Sequence, residues 1–236
     1  MNLLELGVNF FVALFAMIDP IGNVPIFAAA TLGATPAQRR LVAIYISAFA
    51  VGFLLLFYFS GPSVLEFFGI SLSAFRIAGG ILLFLLGLDM SRSDFLNSFA
   101  DSDATAGEIK DIRAYARKRF ERLVVPFAMP LLIGPGAIST VIIQASEAAK
   151  HGPAGWAMGA GAIVAVGVAT LLSFMLTGVI TKVLGRIGMA IVVRVLGLIL
   201  CAMAVQFVLV GISDATHNVI QHSVAKPYAK PAAAPH

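Results

Sequence analysis

Asp19-Pro20-Ile21-Gly22-Asn23 interrupts the first long apolar stretch of this chain, and Ile133-Gly134-Pro135-Gly136 interrupts the fourth. Each lies within a run of apolar residues longer than one helix needs, and each carries residues that end one helix and begin another. An Asp N-cap accepts from the free N–H groups of a first helical turn. Proline at the first helical position has no N–H to lose, and its φ is already helical. The two breaks therefore predict a half-helix capped by Asp19 and starting at Pro20, and a second starting at Pro135 behind Gly134. Within a bilayer, irregular backbone persists only where protein or a water-filled cavity satisfies its polar groups, so both breaks read as the lining of a site.

Working outward, the surrounding chain is 59% hydrophobic and 12% charged, with a mean hydropathy of +0.95. Soluble domains carry about 25% charged residues. The sequence is that of an integral membrane protein, all-α and polytopic. Six stretches approach or exceed the roughly 20 residues that cross a hydrocarbon core: approximately 3–31, 40–60, 72–90, 123–148, 155–181 and 189–212. The first reads as a retained span and not a signal peptide, because Met1 to Glu5 is acidic where a signal is basic. Residues 1–213 form a single membrane domain, with halves 1–91 and 123–213 joined by a charged loop over 92–122. Residues 214–236 form a Pro/Ala-rich tail expected to be disordered.

The charged loop mixes Asp94, Asp101, Asp103, Glu108, Asp111 and Glu121 with Arg92, Lys110, Arg113, Arg117, Lys118, Arg119 and Arg122. It is expected to be helical near Arg113 to Arg122 and disordered near Ser98 to Gly107. Gly61-Pro62 closes the second span on this reading. Connections one, three and five hold eleven of the sixteen Lys and Arg residues, while the opposite side holds three: Lys150, Lys226 and Lys230. The positive-inside rule then places the loop in the cytoplasm and both termini outside. The formal charge of +4 follows from that topology and implies no nucleic-acid partner.

The halves echo each other. Pro20 and Pro135 are 115 positions apart, Gly61 and Gly178 are 117 apart, and Arg76-x-x-Gly79 and Arg194-x-x-Gly197 are 118 apart. Because each half holds an odd number of spans, the second copy enters the membrane upside down, giving a three-plus-three inverted repeat. Two half-helix N-termini then face each other, each with free N–H groups and about half a positive charge, a natural receptor for a carboxylate. Gly22, Gly134, Gly136 and Ala137 admit a ligand close to the backbone, and Asn23, Ser139 and Thr140 offer neutral hydrogen bonds.

Asp19 is the ionisable residue placed nearest a span centre. It serves as a cap for the Pro20 half-helix, as a ligand for a substrate ammonium, or as the carrier of a coupling Na+ or H+, and capping is compatible with the other roles. Arg76 and Arg194 read as snorkelling to the interface. Ala78, Gly79, Gly80 and Gly87, with Gly197, Ala202 and Ala204, read as close helix packing. A single cysteine, Cys201, rules out a disulfide framework or a Cys-rich metal site. His217, His222 and His236 in the tail make a poor ligand set, so no metal or cofactor is expected. Phosphate-loop, dinucleotide, HExxH and GxSxG motifs are missing, which argues against an enzyme or an ATP-driven pump.

The segments from Asp19 to Phe27 and from Pro130 to Thr140 resemble the two characteristic segments of the MarC family of bacterial inner-membrane proteins. The resemblance runs from the first span to the sixth and leaves the Ala/Pro tail outside. It implies six spans and kinship with small amino-acid transporters of the LysE-type group, some of which resemble secondary transporters of glycine and alanine. The expectation is a secondary transporter of small neutral amino acids or similar zwitterions, coupled to H+ or Na+, in the inner membrane. The alternatives are a drug or metabolite exporter, and a non-transporting membrane scaffold whose charged loop is the working surface.

Overall fold

The structure, a computed structural model, describes residues 2–92, 111–124, 128–129 and 132–216. The disorder expected near Ser98 to Gly107 and in the tail beyond Thr216 lies outside the described residues, as do His217, His222 and His236, whereas Asp214 and Ala215, expected in the tail, are the last residues of a helix. The described residues form helices α1 (Leu3–Ile18), α2 (Val24–Ala30), α3 (Pro36–Phe67), α4 (Leu72–Ser91), α5 (Ile112–Leu123), α6 (Pro135–Ala149), α7 (Gly152–Met175) and α8 (Thr177–Ala215), the last broken at Gly185. Among the described residues, four stretches are long and apolar enough to cross a membrane unbroken: α3, α4, α7 and Ile187–Ala215 of α8. The pieces α1 with α2, and the chain leading into α6, occupy the two interrupted stretches. Large apolar side chains lie exposed around the bundle, among them Val12, Leu56, Leu82, Val168 and Leu198. A soluble protein would cover such a belt, whereas a bilayer solvates it.

Pairwise packing fixes which ends lie together. α3 and α7 run antiparallel, since a Cβ on Gly159 would meet Tyr58 and one on Gly167 would meet Val51. α1 begins beside the start of α7, where a Cβ on Gly7 would meet Met158, and α6 approaches the end of α3, where Ile142 packs on Gly61. At the other face, Phe27 of α2 stacks on Phe174 near the end of α7, with ring centroids 4.3 Å apart. Helix α5 docks at this same face, its Phe120 packed edge-on against Tyr45 and Phe49 of α3. Buried Arg119 donates to the Ala30 carbonyl at the end of α2, a cation on a helix C-terminus. α2 and α6 therefore run in opposite directions from their breaks. Arg40, Arg113, Arg117 and Arg122 gather at the α5 face.

α4 and α8 form the most extensive contact, an antiparallel pair in fixed register. A Cβ on Gly80 would lie 2.8 Å from the Ala204 oxygen, one on Gly87 2.7 Å from the Gly197 oxygen, and one on Gly211 3.0 Å from the Ser73 oxygen. Small residues seven apart let the backbones touch, as read from the sequence for this pair.

Three local expectations are corrected. Gly61-Pro62 does not close the second span, because α3 continues to Phe67 with Pro62 inside it. Proline here is about a turn and a half from the helix end and forfeits a single hydrogen bond, while buried Leu65 holds the final turn against the bundle. The fifth connection is not a loop: α7 stops at Met175, and a helical piece from Thr177 turns at Gly185. Asp19 is not a helix N-cap but the C-cap of α1, in left-handed conformation at φ 43° and ψ 64°. Its N–H still donates to Phe15, 2.9 Å away. The residue before proline is pushed out of the right-handed helical region, so Asp-Pro here acts as a stop.

The positive-φ glycines among the described residues fall at matched positions in the two halves. Gly33 and Gly152 follow α2 and α6, 119 positions apart, and Gly69 and Gly185 precede α4 and the long part of α8, 116 apart.

Candidate functional site

The first break is a closed turn. From Pro20 to Asn23 the chain makes one turn, with the Asn23 N–H donating to the Asp19 carbonyl at 3.1 Å, and α2 starts only at Val24 with Pro25 in its first turn. The Asp19 carboxylate folds back to accept from the Gly22 N–H at 3.1 Å. A Cβ on Gly22 would fall 2.0 Å from that carboxylate and 2.8 Å from Leu196 of α8, so glycine is required by packing. The Asn23 amide donates to the carbonyls of Ile18 at 2.8 Å and Asp19 at 3.2 Å, covering the end of α1.

The second break is simpler. Gly134 is the N-cap of α6 in extended conformation, and Pro135 is the first helical residue, as the sequence predicts. Pro135 seats on Gly79 of α4, where a Cβ would lie 2.1 Å from the proline ring. Gly136 packs beneath Phe207 of α8 and Met17 of α1, at 3.1 and 3.3 Å from its would-be Cβ. Met17 stands two residues before Asp19, so the two breaks are neighbours. They are also staggered. In the α4–α8 register, the Leu196 level of the first break is about nine residues, or roughly 13 Å, from the Gly79 level of the second. The two half-helix N-termini therefore do not meet on one point, and the first turns of α6 open onto a free space.

That space is a cleft of about 220 Å³ beside the first turns of α6, between α1, α4 and α8. Its polar lining is Arg76, Ser139, Thr140 and Gln206, and its apolar walls include Met17, Met203 and Phe207. Ser139 is 1% exposed, and its hydroxyl has no hydrogen-bond partner. Such a group costs about 1–3 kcal/mol unless a water or solute completes it. Thr140 donates to the Gly136 carbonyl at 2.9 Å and keeps its lone pairs for a donor. Arg76, 15% exposed, pairs through Nη1 with Asp214 near the end of α8, itself 49% exposed.

Of the residues read from sequence as a binding set, Ser139 and Thr140 line the cleft and Gly136 forms its floor through Phe207 and Met17. Gly134 and Pro135 aim α6 at it. Ala137 lies in the apolar core, while Asp19, Pro20, Gly22 and Asn23 form the separate turn against Leu196. Sequence reasoning left Arg76 and Gln206 outside the site. Arg76 had one visible signal, a charge mirrored by Arg194, but Arg194 is exposed whereas Arg76 turns inward.

Comparison with known proteins agrees with the membrane architecture. Residues 4–216 match the family described as MarC family integral membrane protein. A UPF0056 membrane protein of Pyrococcus abyssi is 34% identical over 206 residues, covering 87% of this chain and 93% of the relative. One from Methanocaldococcus jannaschii is 37% identical over 205 residues, covering 87% and 95%. The UPF0056 membrane protein YhcE of Escherichia coli is 29% identical over 213 residues, covering 86% and 90%. No solved structure matches the chain.

Proposed function

The chain belongs to the MarC family of integral membrane proteins, and from that premise we propose that it is a secondary transporter of small neutral amino acids or similar zwitterions. The observation that carries the reading is the cleft at the start of α6, where a buried serine hydroxyl lacks a partner beside a helix N-terminus. A volume of about 220 Å³ lies below the roughly 300 Å³ at which drug-sized pockets begin, which favours a small solute over a drug.

An inverted repeat supplies the alternating access. Three features support it: α2 and α6 run in opposite directions, the positive-φ glycines fall in matched pairs, and α2 packs on α8 as α6 packs on α4. In this scheme the basic α5 face is cytoplasmic, both termini are periplasmic, and the cleft belongs to the outer half of the inner membrane. Asp19 stands outside the cleft lining, so its carboxylate is assigned to the coupling ion, H+ or Na+, and the solute to Ser139, Thr140 and the α6 N-terminus. Proteoliposomes holding the purified protein are expected to accumulate labelled glycine or alanine under an imposed H+ or Na+ gradient. No accumulation above protein-free liposomes with either gradient and either solute rejects the reading.

A further inference from the structure

The charge in the cleft names the part of the solute that it holds. Among the lining residues the one formal charge is that of Arg76, and the neighbouring α6 N-terminus adds partial positive charge. Arg76 and the α6 N-terminus give the cleft donors for an anionic group, while Asp214, outside the lining, balances the arginine charge. Arg76 has five N–H donors in a planar fork, and its contact with Asp214 goes through a single nitrogen, Nη1. A carboxylate offers the two-oxygen partner that this fork fits best. Asp214, half exposed at the end of α8, is solvated when it turns away, and the solute carboxylate then takes its place on the largely buried Arg76.

From this we infer that Arg76 and Asp214 are a zwitterion clamp: an ion pair that opens to place the solute carboxylate on Arg76 and its ammonium on Asp214. The inference rests on the transport reading for its solute class and extends it by naming the recognition groups. One ion pair becomes two, and the total charge of the site stays at zero, which a low-dielectric setting demands. Ser139, whose buried hydroxyl has no protein partner, lies in the first turns of α6 beside the same cleft. The clamp also distinguishes solutes by chemistry: an amino acid satisfies both charges, a plain carboxylate leaves Asp214 unpaired, and an amino amide leaves Arg76 unpaired.

Thermal unfolding of the purified full chain in detergent tests this with L-alanine, propionate and alaninamide as probes. The wild type is expected to be stabilised by alanine, weakly by propionate and not by alaninamide. Arg76→Gln is expected to weaken alanine binding by at least about tenfold, the effect of losing hydrogen bonds to a charged group. Asp214→Asn is expected to erase the preference for alanine over propionate while still binding propionate. If both variants lower the unligated Tm but keep the wild-type alanine shift, the pair is a structural brace and the proposal falls. It also falls if the wild type responds equally to alanine and alaninamide, a result that needs no variant to fold. Transport separates the two claims: alanine accumulation undiminished in Arg76→Gln overturns the clamp alone, whereas the binding pattern without accumulation overturns the transporter alone.

Discussion

Asp19→Asn is expected to fold and insert like the wild type yet lose gradient-driven accumulation by at least about tenfold, a deficit equal to some 1.4 kcal/mol. The structural tasks of Asp19 are to hold a left-handed C-cap at φ 43° and to accept from the Gly22 N–H. Asn does both, since Asn and Asp are the side chains that tolerate that conformation most readily and the amide oxygen accepts equally well. What Asn removes is the charge assigned to coupling. Exchange of labelled for unlabelled solute is expected to survive, because Asp19 lies outside the cleft lining. Asp19→Ala is a different perturbation: it loses the acceptor and must still adopt the left-handed backbone, at a cost of about 1–2 kcal/mol for the conformation alone. A purely structural Asp19 gives Asn near wild type and Ala impaired. Accumulation by Asp19→Asn equal to wild type would remove Asp19 from coupling.

The largest effect on stability is expected from Gly87→Leu. The Cβ it adds would stand 2.7 Å from the Gly197 oxygen and 3.0 Å from the Cys201 nitrogen, both backbone atoms of α8. Neither atom moves without the whole helix, so α4 and α8 must separate and forfeit the contacts on either side. Overpacking of this kind costs about 3 kcal/mol, at the upper end of its usual range. For a chain of this size that lowers Tm by on the order of 10 °C. Gly52→Leu is the matched control: Gly52 is exposed on α3 with nothing within 4 Å of its Cβ position, so stability there should hold or rise slightly with helix propensity. Thermal unfolding of the two variants side by side in detergent checks the pair. Equal Tm values would mean that the α4–α8 register is wrong.

Both breaks were legible because proline punctuates helices whatever surrounds it, and the second behaves as read, with Pro135 opening α6. The first was misread in detail because Asp-Pro carries two opposite meanings, a cap before a helix or a stop at the end of one. Only the preceding helix decides between them, and α1 runs up to Ile18 with no room for an extended cap. The small-residue contact between α4 and α8 was visible as a run of glycines and alanines on two spans. The cleft was half visible. Ser139 and Thr140 follow directly from the proline start, but the Arg76–Asp214 pair joins residues 138 positions apart. No local pattern reports such a pair, because it depends on the antiparallel register of two helices that the sequence does not align. Pro62 likewise sits inside a helix whose last turns are held by tertiary burial that propensity does not see.

The central claim, that a small amino acid occupies the cleft at the start of α6, is tested most directly by placing a single reactive thiol in its wall. In a background carrying Cys201→Ser, the Thr140→Cys variant in proteoliposomes should react with a membrane-impermeant thiol reagent applied to one face, and alanine should slow the reaction while alaninamide should not. The claim is contradicted if the introduced thiol reacts from neither face, or if it reacts at the same rate with and without alanine.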